Sequence, residues 1–549
     1  MIAKAKQFKI LSLTEAASLV RGGFAAGRGP APQTHSGKVR SGDLFVVLPA
    51  NRTAQPNHAV KSGLDYLPQI LSDGIAGVLV YEEKQEAEVR SLLEAAAPDC
   101  YPALCPVPDA RQALGVLAAA YYGTEDYRPT LIGITGTNGK TTSAFLLEGL
   151  FTAAGRRVGM LGTICYRWPG FSQVAPLTTP GCLELHGLFA RMRQAAVDTV
   201  IMEVSSHALD QNRVAGLAFS AALFTNLTQD HLDYHKDMEE YFQAKARLFG
   251  DDIPSLGQSG VPLLNKSRAI NLNDSFGKRL YKKCRDLPGL TVPYALRGAE
   301  ELEEINSPSG VSLLSDPSDV SLLSKLSGEL LRTSPDGLHL RMRYAGAQWD
   351  LDSPLVGEFN AMNLLGVQTL ALSLGLKTED LRVLEKFSGV PGRLERVLRE
   401  DGSRPALDCF VDYAHTPDAL IKAIKALRAA GFGRVVTVFG CGGDRDRGKR
   451  PLMGEAVSRY ADVAVLTSDN PRTEDPEAIM DDVMPGLQAG MGSEVYREAD
   501  RRKATALALG LMRPGDALLL AGKGHEDYQI IGTEKIHYSD QEVLRELLK

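Results

Sequence analysis

LIGITGTNGKTT, Leu131 to Thr142, decides the architecture. Its first five residues form an apolar run that reads as a buried strand. Gly136-Thr137-Asn138-Gly139 then make a tight turn, and Lys140 opens TTSAFLLEGLFTAAG, an amphipathic helix stopped by Gly155. A strand, a glycine-rich turn and a helix N-terminus together bind phosphate. The glycines let backbone N–H groups approach the oxygens, and the helix dipole favours negative charge. Lys140 has the reach for β- and γ-phosphates, and the Thr141 hydroxyl can ligate Mg²⁺, with Thr142 behind it. Taken alone, the loop specifies a nucleoside triphosphate and nothing about its use.

Downstream, RRVGMLGT, DTVIMEVSS and AALFTNL read as further strands separated by helices, a pattern that predicts a parallel sheet covered on both faces. Glu203 ends DTVIMEVSS, where a carboxylate beside the phosphate loop is a natural Mg²⁺ ligand. His231, in TNLTQDHLDYH, follows the next strand. Lys245, in YFQAKARLF, by itself reads as a snorkelling lysine.

Upstream, DLFVVLP (Asp43–Pro49) and AGVLVY (Ala76–Tyr81) are candidate strands, and LTEAASLVRGG and ARQALGVLAAAYYG candidate helices. Between about 252 and 345 the signal weakens. A Ser-rich, nearly repeated stretch over about 304–334 reads as a loop insertion, and DGLHLRMRYAGAQWDLDSPL as a hairpin. From 355 onward FVDYAH, RVVTVFGCGG, DVAVLTSDNPR and DALLLAGKGHE each run from an apolar strand into polar residues. Open α/β sheets bind ligands beyond the carboxyl ends of their strands, so these tips belong on one functional edge.

The chain has 549 residues, 44% hydrophobic and 23% charged, with a formal charge of 61 − 67 = −6. This suits a multidomain globular protein and argues against nucleic-acid binding through a basic field. The seven cysteines (Cys100, Cys105, Cys165, Cys182, Cys284, Cys409, Cys441) form no C-x-x-C pair, which fits a reducing compartment better than a disulfide framework or zinc site. MIAKAKQFKI lacks a signal-type apolar region, and the longest apolar stretch, near Leu114–Tyr122, is too short to span a bilayer. The expectation is a cytoplasmic monomer without membrane insertion.

ITGTNGKTT, LTTP (Leu177–Pro180), MEVSSHALDQNRV, TNLTQDHLDYH, YFQAKARLF, GEFNAMNLL, VPGRLERV, VDYAHTPDAL, GCGGDRDRGKRP, SDNPR and AGKGHEDYQ together resemble the Mur ligase family over roughly residues 130–535. The resemblance implies an α/β protein of three domains. These are an N-terminal α/β UDP-binding domain (1–125), a central P-loop ATPase-like parallel sheet (126–354) and a C-terminal Rossmann-like domain (355–549). It implies ATP-dependent joining of an amino acid to UDP-N-acetylmuramoyl-L-alanyl-D-glutamate through an acyl phosphate.

By the same resemblance, Lys140, Glu203, His231 and Lys245 carry the chemistry. Two Mg²⁺ are expected at Thr141, Glu203, His231 and a Lys245 carbamate. CO₂ turns that cation into an anion able to bind the second metal. ATP is expected at the loop and at Asn360, Arg393 and Asp412, and the muramoyl-dipeptide at Ser36, Thr178, Thr179, Ser205, Gln211 and Arg213.

Asp469-Asn470-Pro471-Arg472 is the most discriminating short motif. Arg472 and Arg445 can grip the distal carboxylate of meso-2,6-diaminopimelate, and Asp469 and Glu526, near Gly522, its ammonium. L-lysine lacks that carboxylate and would leave the guanidiniums unpaired. Around Ser36 the chain reads HSGKVRSGDLF, with Gly37 where relatives carry Arg, so Lys38, Arg40 or Arg52 becomes a candidate for the UDP end. L-lysine as the acceptor, a folylpolyglutamate synthase-like ligase and a regulatory P-loop ATPase remain open alternatives.

Overall fold

The computed structural model describes residues 8–27, 30–51, 61–72, 76–96, 101–232, 234–250, 267–296, 326–344, 346–387, 389–490 and 492–549. They cluster in two compact units. The first comprises residues up to Tyr294 with Gly366–Asp380. The second comprises Ala295–Leu296, Leu326–Leu365 and Leu381–Lys549.

In the first unit, β1 (Pro32–Gln33), β2 (Asp43–Val46), β3 (Ala76–Glu82) and β4 (Ala103–Val107) form a parallel sheet in that order. The helix Ala110–Tyr122 follows it. Asp109 caps that helix through the N–H groups of Arg111 and Gln112, a device generally worth about 1 kcal/mol.

The larger sheet is built on β5 (Thr130–Thr135), the strand of the opening motif. With it run β6 (Val158–Leu161), β7 (Cys165–Trp168), β8 (Phe171–Val174), β9 (Thr199–Glu203), β10 (Ala221–Phe224), β11 (Ser267–Asn271) and β12 (Leu290–Leu296). Their order is β12-β11-β10-β5-β9-β6-β7-β8, parallel from β12 to β6 and antiparallel at β7 and β8. Leu131, Val200, Met202, Ala222 and Phe224 belong to a core with Leu185, Phe189, Tyr241, Phe242 and Phe249. Parallel strands covered on both faces read as continuous apolar runs, and β5, β9 and β10 do.

The weak stretch is more structured than its sequence suggests. Residues 267–296 give β11, a helix (Ser275–Cys284) and β12. β11 hides its pattern because it buries polar residues. Arg268 is almost wholly buried and donates to Phe249 O (2.9 Å) and Pro288 O (2.9 Å). The Ser-rich insertion needs correction at its C-terminal end. Leu326–Ser334 is a strand, β13, antiparallel to β14 (Gly337–Tyr344). In β13, Leu326 and Gly328 are buried while Ser327 and Glu329 are half-exposed, and a bulge at Leu330/Arg332 interrupts the alternation. Residues 304–325 of the stretch lie outside the described residues. β14 and β15 (Ala347–Ser353) form the expected hairpin.

In the second unit, β16 (Glu395–Arg396), β17 (Asp408–Asp412), β18 (Val435–Phe439), β19 (Val463–Leu466), β20 (Glu494–Arg497) and β21 (Ala517–Ala521) take the order β16-β17-β21-β18-β19-β20. All but β16 are parallel. The carboxyl ends of β17, β18, β19 and β21 therefore lie on one edge, as their polar tips required. Among the described residues no helix is long and apolar enough to cross a membrane. Six cysteines are described, all buried free thiols; Cys100 is outside the described residues.

Candidate active site

Gly136 sits at φ +147°, and a Cβ there would lie 1.9 Å from Thr225 Oγ1. Gly139, at φ +85°, is the N-cap of the helix Lys140–Ala153. Both positions require glycine. The turn is braced from behind by residues after β10. Thr137 N donates to Asn226 O (2.9 Å), Asn138 N to Asn226 Oδ1 (3.0 Å), and Thr225 Oγ1 to Asn138 O (2.6 Å). Thr225, Asn226 and Thr228 were not among the predicted site residues, although TNLT was quoted as a motif. Lys140 Nζ donates to Gly136 O (3.0 Å) and Thr137 O (2.8 Å).

Glu203, at the tip of β9, is almost wholly buried. Its carboxylate accepts from Thr141 Oγ1 (3.0 Å), Thr163 Oγ1 (3.0 Å) and Thr163 N (2.9 Å). Thr163 is a further residue that sequence reasoning missed, though it ends the quoted strand RRVGMLGT. A Cβ at Gly162 would lie 2.4 Å from Glu203 Oε1, so any larger residue there would displace the Glu203 carboxylate.

Lys245 is buried in the helix Met238–Ala246, and its Nζ donates to Gly136 O (2.9 Å). It is therefore a component of the loop and not a snorkelling lysine. Burial pushes its pKa well below the usual lysine value, and Lys140 pushes the same way while Asp230 opposes. His231 is exposed, at φ +53°, with its ring centroid 5.0 Å from that of His207, in the helix Ser206–Asp210 directly after β9.

Among the described residues no three His, Cys, Asp or Glu side chains are gathered so as to hold a metal ion. Mg²⁺ nonetheless fits Glu203 and Thr141. It binds hard oxygens, keeps several waters and takes only one or two carboxylates when nucleotide phosphates complete its shell.

The predicted dipeptide residues are mostly brought together. Thr179 Oγ1 donates to Glu203 O (2.9 Å), and Ser205 N donates to Thr179 Oγ1 (3.0 Å). Arg213 donates through Nη1 to Thr179 O (3.0 Å), and through Nε (3.0 Å) and Nη2 (2.8 Å) to Gln211 Oε1. Thr178 Oγ1 lies 3.2 Å from Thr163 Oγ1, which joins this group to Glu203. Ser36 stands apart, at the start of a 3₁₀ turn (Ser36–Lys38) in the N-terminal sheet region. Arg40 is exposed, and Arg52 is outside the described residues.

In the second unit, Asp412 accepts from Leu394 N (2.6 Å) and Ala414 N (2.8 Å). Burial raises its pKa against the pull of Arg393. Arg393 lies 5.1 Å from the Tyr413 ring centroid, and its buried Nε has no hydrogen-bond partner among the described residues. The Asn360 amide is engaged locally, donating to Val356 O (2.8 Å) and accepting from Asn363 Nδ2 (3.1 Å).

The three predicted acceptor segments converge. Lys523 Nζ, fully buried, lies 3.3 Å from Asp469 Oδ1, 3.2 Å from Asn470 Oδ1 and 3.4 Å from Glu526 Oε2. Asn470 Nδ2 donates to Glu526 Oε2 (3.1 Å). Arg472, at φ +51°, donates to Gly443 O (2.7 Å). A Cβ on Gly442 would meet Arg472 Nη1 at 3.1 Å and Arg445 Cγ at 3.7 Å. Pro471 O would lie 1.9 Å from a Cβ on Gly443, and Asp469 Oδ2 3.3 Å from one on Gly522. Lys523 is the residue sequence reasoning missed here; its signal was a lysine between Gly522 and Glu526 at an apolar strand tip.

A braced phosphate loop, a buried carboxylate beside it and a second α/β sheet edge rich in paired charges define an ATP-dependent ligase. The chain belongs to the Mur ligase family. Residues 134–371 match the Mur ligase middle domain and residues 392–524 the Mur ligase, glutamate ligase domain. The chain is 48% identical over 514 residues to the UDP-N-acetylmuramoyl-L-alanyl-D-glutamate--2,6-diaminopimelate ligase of Lawsonia intracellularis (strain PHE/MN1-00), covering 93% of this chain and 95% of that one. It is 42% identical over 516 residues to the protein of that name from Gloeobacter violaceus (strain ATCC 29082 / PCC 7421), covering 94% and 93%. A solved structure of a ligase so named superposes with a TM-score of 0.63 at 28% identity, covering 95% of each chain.

Proposed function

We propose that the protein joins meso-2,6-diaminopimelate to UDP-N-acetylmuramoyl-L-alanyl-D-glutamate, cleaving ATP to ADP and phosphate, as a cytoplasmic step in building peptidoglycan precursor. In the first step a γ-carboxylate oxygen of D-glutamate attacks the ATP γ-phosphorus, and the bond to the β-phosphate oxygen breaks. The products are an acyl phosphate and ADP. In the second, an amine of the amino acid attacks the acyl carbon, phosphate leaves and the nitrogen loses its proton.

Positioning and charge neutralisation dominate such chemistry. Lys140 and the loop N–H groups hold the phosphates. Thr178, Thr179, Ser205, Gln211 and Arg213 orient the dipeptide, and Ser36 serves the nucleotide end. Asn360, Arg393 and Asp412 are assigned to the adenosine and phosphate side of ATP. Two Mg²⁺, when bound, neutralise charge on the phosphate oxygens, and Thr141, Glu203, His231 and a carbamylated Lys245 would hold them. Burial depresses the Lys245 pKa and so raises the fraction of unprotonated amine, the form that adds CO₂.

For the acceptor, Arg445 and Arg472 take the distal carboxylate. Asp469 and Glu526 take the distal ammonium, with Asn470, Pro471 and the Gly522 backbone shaping the site. The observation that carries this reading is the pair of opposite charge groups. Two arginines flank Gly442, and two carboxylates are gathered by Lys523. A zwitterionic side-chain terminus needs both. Residues 1–125, 126–354 and 355–549 are the corresponding nucleotide-sugar, ATP and amino-acid domains.

The test is ATP turnover with substrates omitted in turn. Phosphate release that requires both the nucleotide-dipeptide and the amine supports ligation. Release with ATP alone supports a regulatory ATPase, and release dependent on a folate supports the folylpolyglutamate-type alternative.

A further inference from the structure

The helix Ala110–Tyr122, which follows the N-terminal sheet, is seated on the loop that carries Gln211 and Arg213. Its contacts run in register. Asp109 Oδ2 accepts from Asn212 Nδ2 (3.4 Å), and Arg111 Nη1 donates to Gln211 O (3.2 Å). A Cβ on Gly115 would lie 2.5 Å from the carbonyl carbon of Ala215. Residues 111 and 115 share a helix face, so the close approach that Gly115 permits also brings Arg111 against Gln211.

The other arm of the same guanidinium faces away from that loop. Arg111 Nη2 donates to Pro49 O (3.3 Å) and Asn51 Oδ1 (2.9 Å), in the segment leaving β2. One planar, half-buried group thus ties the exit of the N-terminal sheet to Gln211. The Gln211 side chain in turn accepts from Arg213, whose third donor fixes Thr179 O. Arg213 also feels the second guanidinium, since burial foremost, and repulsion by Arg111 among the smaller causes, depress its pKa. A guanidinium holds two directions at fixed spacing, which an ammonium on a flexible stem cannot do.

We propose that Arg111 is a positioning residue that sets the separation between the two ends of the nucleotide-dipeptide site. It links the segment after β2, which in sequence leads into the UDP-end candidate Arg52, to the Gln211–Arg213 grip on the peptide. This rests on the ligase reading above. A rigid spacing makes binding of the second end intramolecular once the first is held. Its loss costs the complete substrate and spares each fragment.

The experiment uses the full-length protein with Arg111→Met, Arg111→Lys and Asn51→Ala. The quantities measured are KM for UDP-N-acetylmuramoyl-L-alanyl-D-glutamate, KM for ATP and for diaminopimelate, kcat, the inhibition constant of UDP and the thermal midpoint. For both Arg111 variants the nucleotide-dipeptide KM rises roughly ten- to a hundredfold, as part of the effective-concentration advantage of a linked second end is lost. UDP inhibition, ATP KM and kcat stay within about twofold. Asn51→Ala gives a smaller rise of the same kind, and adding it to Arg111→Met gives no further rise, since both break one link.

An unchanged nucleotide-dipeptide KM overturns the proposal, as does UDP inhibition weakening in parallel. Full function in Arg111→Lys, additive effects with Asn51→Ala, or a fall in every parameter along with the thermal midpoint also overturn it. A wild-type protein that does not consume the nucleotide-dipeptide defeats the ligase reading itself. An active wild type with unaffected variants defeats only the role of Arg111.

Discussion

Lys245 Nζ donates to the carbonyl oxygen of Gly136 at 2.9 Å, so the buried lysine and the first glycine of the phosphate loop are held as one unit. The same carbonyl accepts from Lys140. Two amines therefore share one oxygen, and repulsion from Lys140 adds to burial in lowering the Lys245 pKa. Lys245→Ala is expected to lower kcat on the order of 10²-fold or more, the scale of losing one electrostatic element of such a site. Short carboxylic acids should partly restore it. Full activity in the variant without rescue removes the carbamate from the account.

The linkage for Lys245 has a defined sign. A lysine whose folded pKa is depressed takes up a proton in the unfolded state at pH values where the fold excludes it, so its stability penalty shrinks as pH rises toward the ordinary value of 10.5. Thermal midpoints of wild type and Lys245→Met should converge with rising pH across that window. A gap that widens with pH contradicts the lowered pKa of Lys245.

Gly136→Ala places a methyl group against Thr225 Oγ1 at φ +147°. Strain of about 1–3 kcal/mol is expected. It should appear as a rise in ATP KM of roughly tenfold or more, with diaminopimelate KM little changed. Isothermal titration with a non-hydrolysable ATP analogue measures the same loss directly.

How much of this was legible depended on where the polar residues sit. β5, β9, β10, β17, β18, β19 and β21 are apolar runs ending in polar tips, and each is present where the pattern placed it. β11 was hidden because Arg268 and Asn271 are buried inside it and satisfied by carbonyls, which erases the apolar signal. Glu203, Lys140 and Arg472 were visible because each stands at or just after the tip of an apolar strand, inside a short polar motif. Thr163, Asn226, Lys523 and Arg111 were not, because each contacts a side chain or backbone group brought near only by the fold, Lys523 reaching Asp469 as well as its neighbour Glu526.

Arg501 and Asp540 form a fully buried ion pair, with Arg501 Nη2 also donating to Ala521 O at the end of β21. Asp540→Ala leaves that guanidinium uncompensated, and a loss of about 3–5 kcal/mol is expected in denaturant unfolding. A loss below about 1 kcal/mol would show that solvent reaches the pair.

Arg472→Ala and Arg445→Ala should each raise diaminopimelate KM by roughly ten- to a hundredfold, the cost of a charged hydrogen bond of about 1.5–3 kcal/mol, while ATP affinity stays within about twofold. An unchanged diaminopimelate KM removes those arginines from the acceptor site.

The paired charges that converge at Gly442 and Lys523 exist, in this account, to recognise a second amino-acid terminus. Ligation to UDP-N-acetylmuramoyl-L-alanyl-D-glutamate, assayed with meso-2,6-diaminopimelate and L-lysine side by side, tests that most directly. The account predicts kcat/KM favouring diaminopimelate on the order of 10⁴-fold, as for a site built around polar groups its competitor lacks. Comparable use of L-lysine would contradict it.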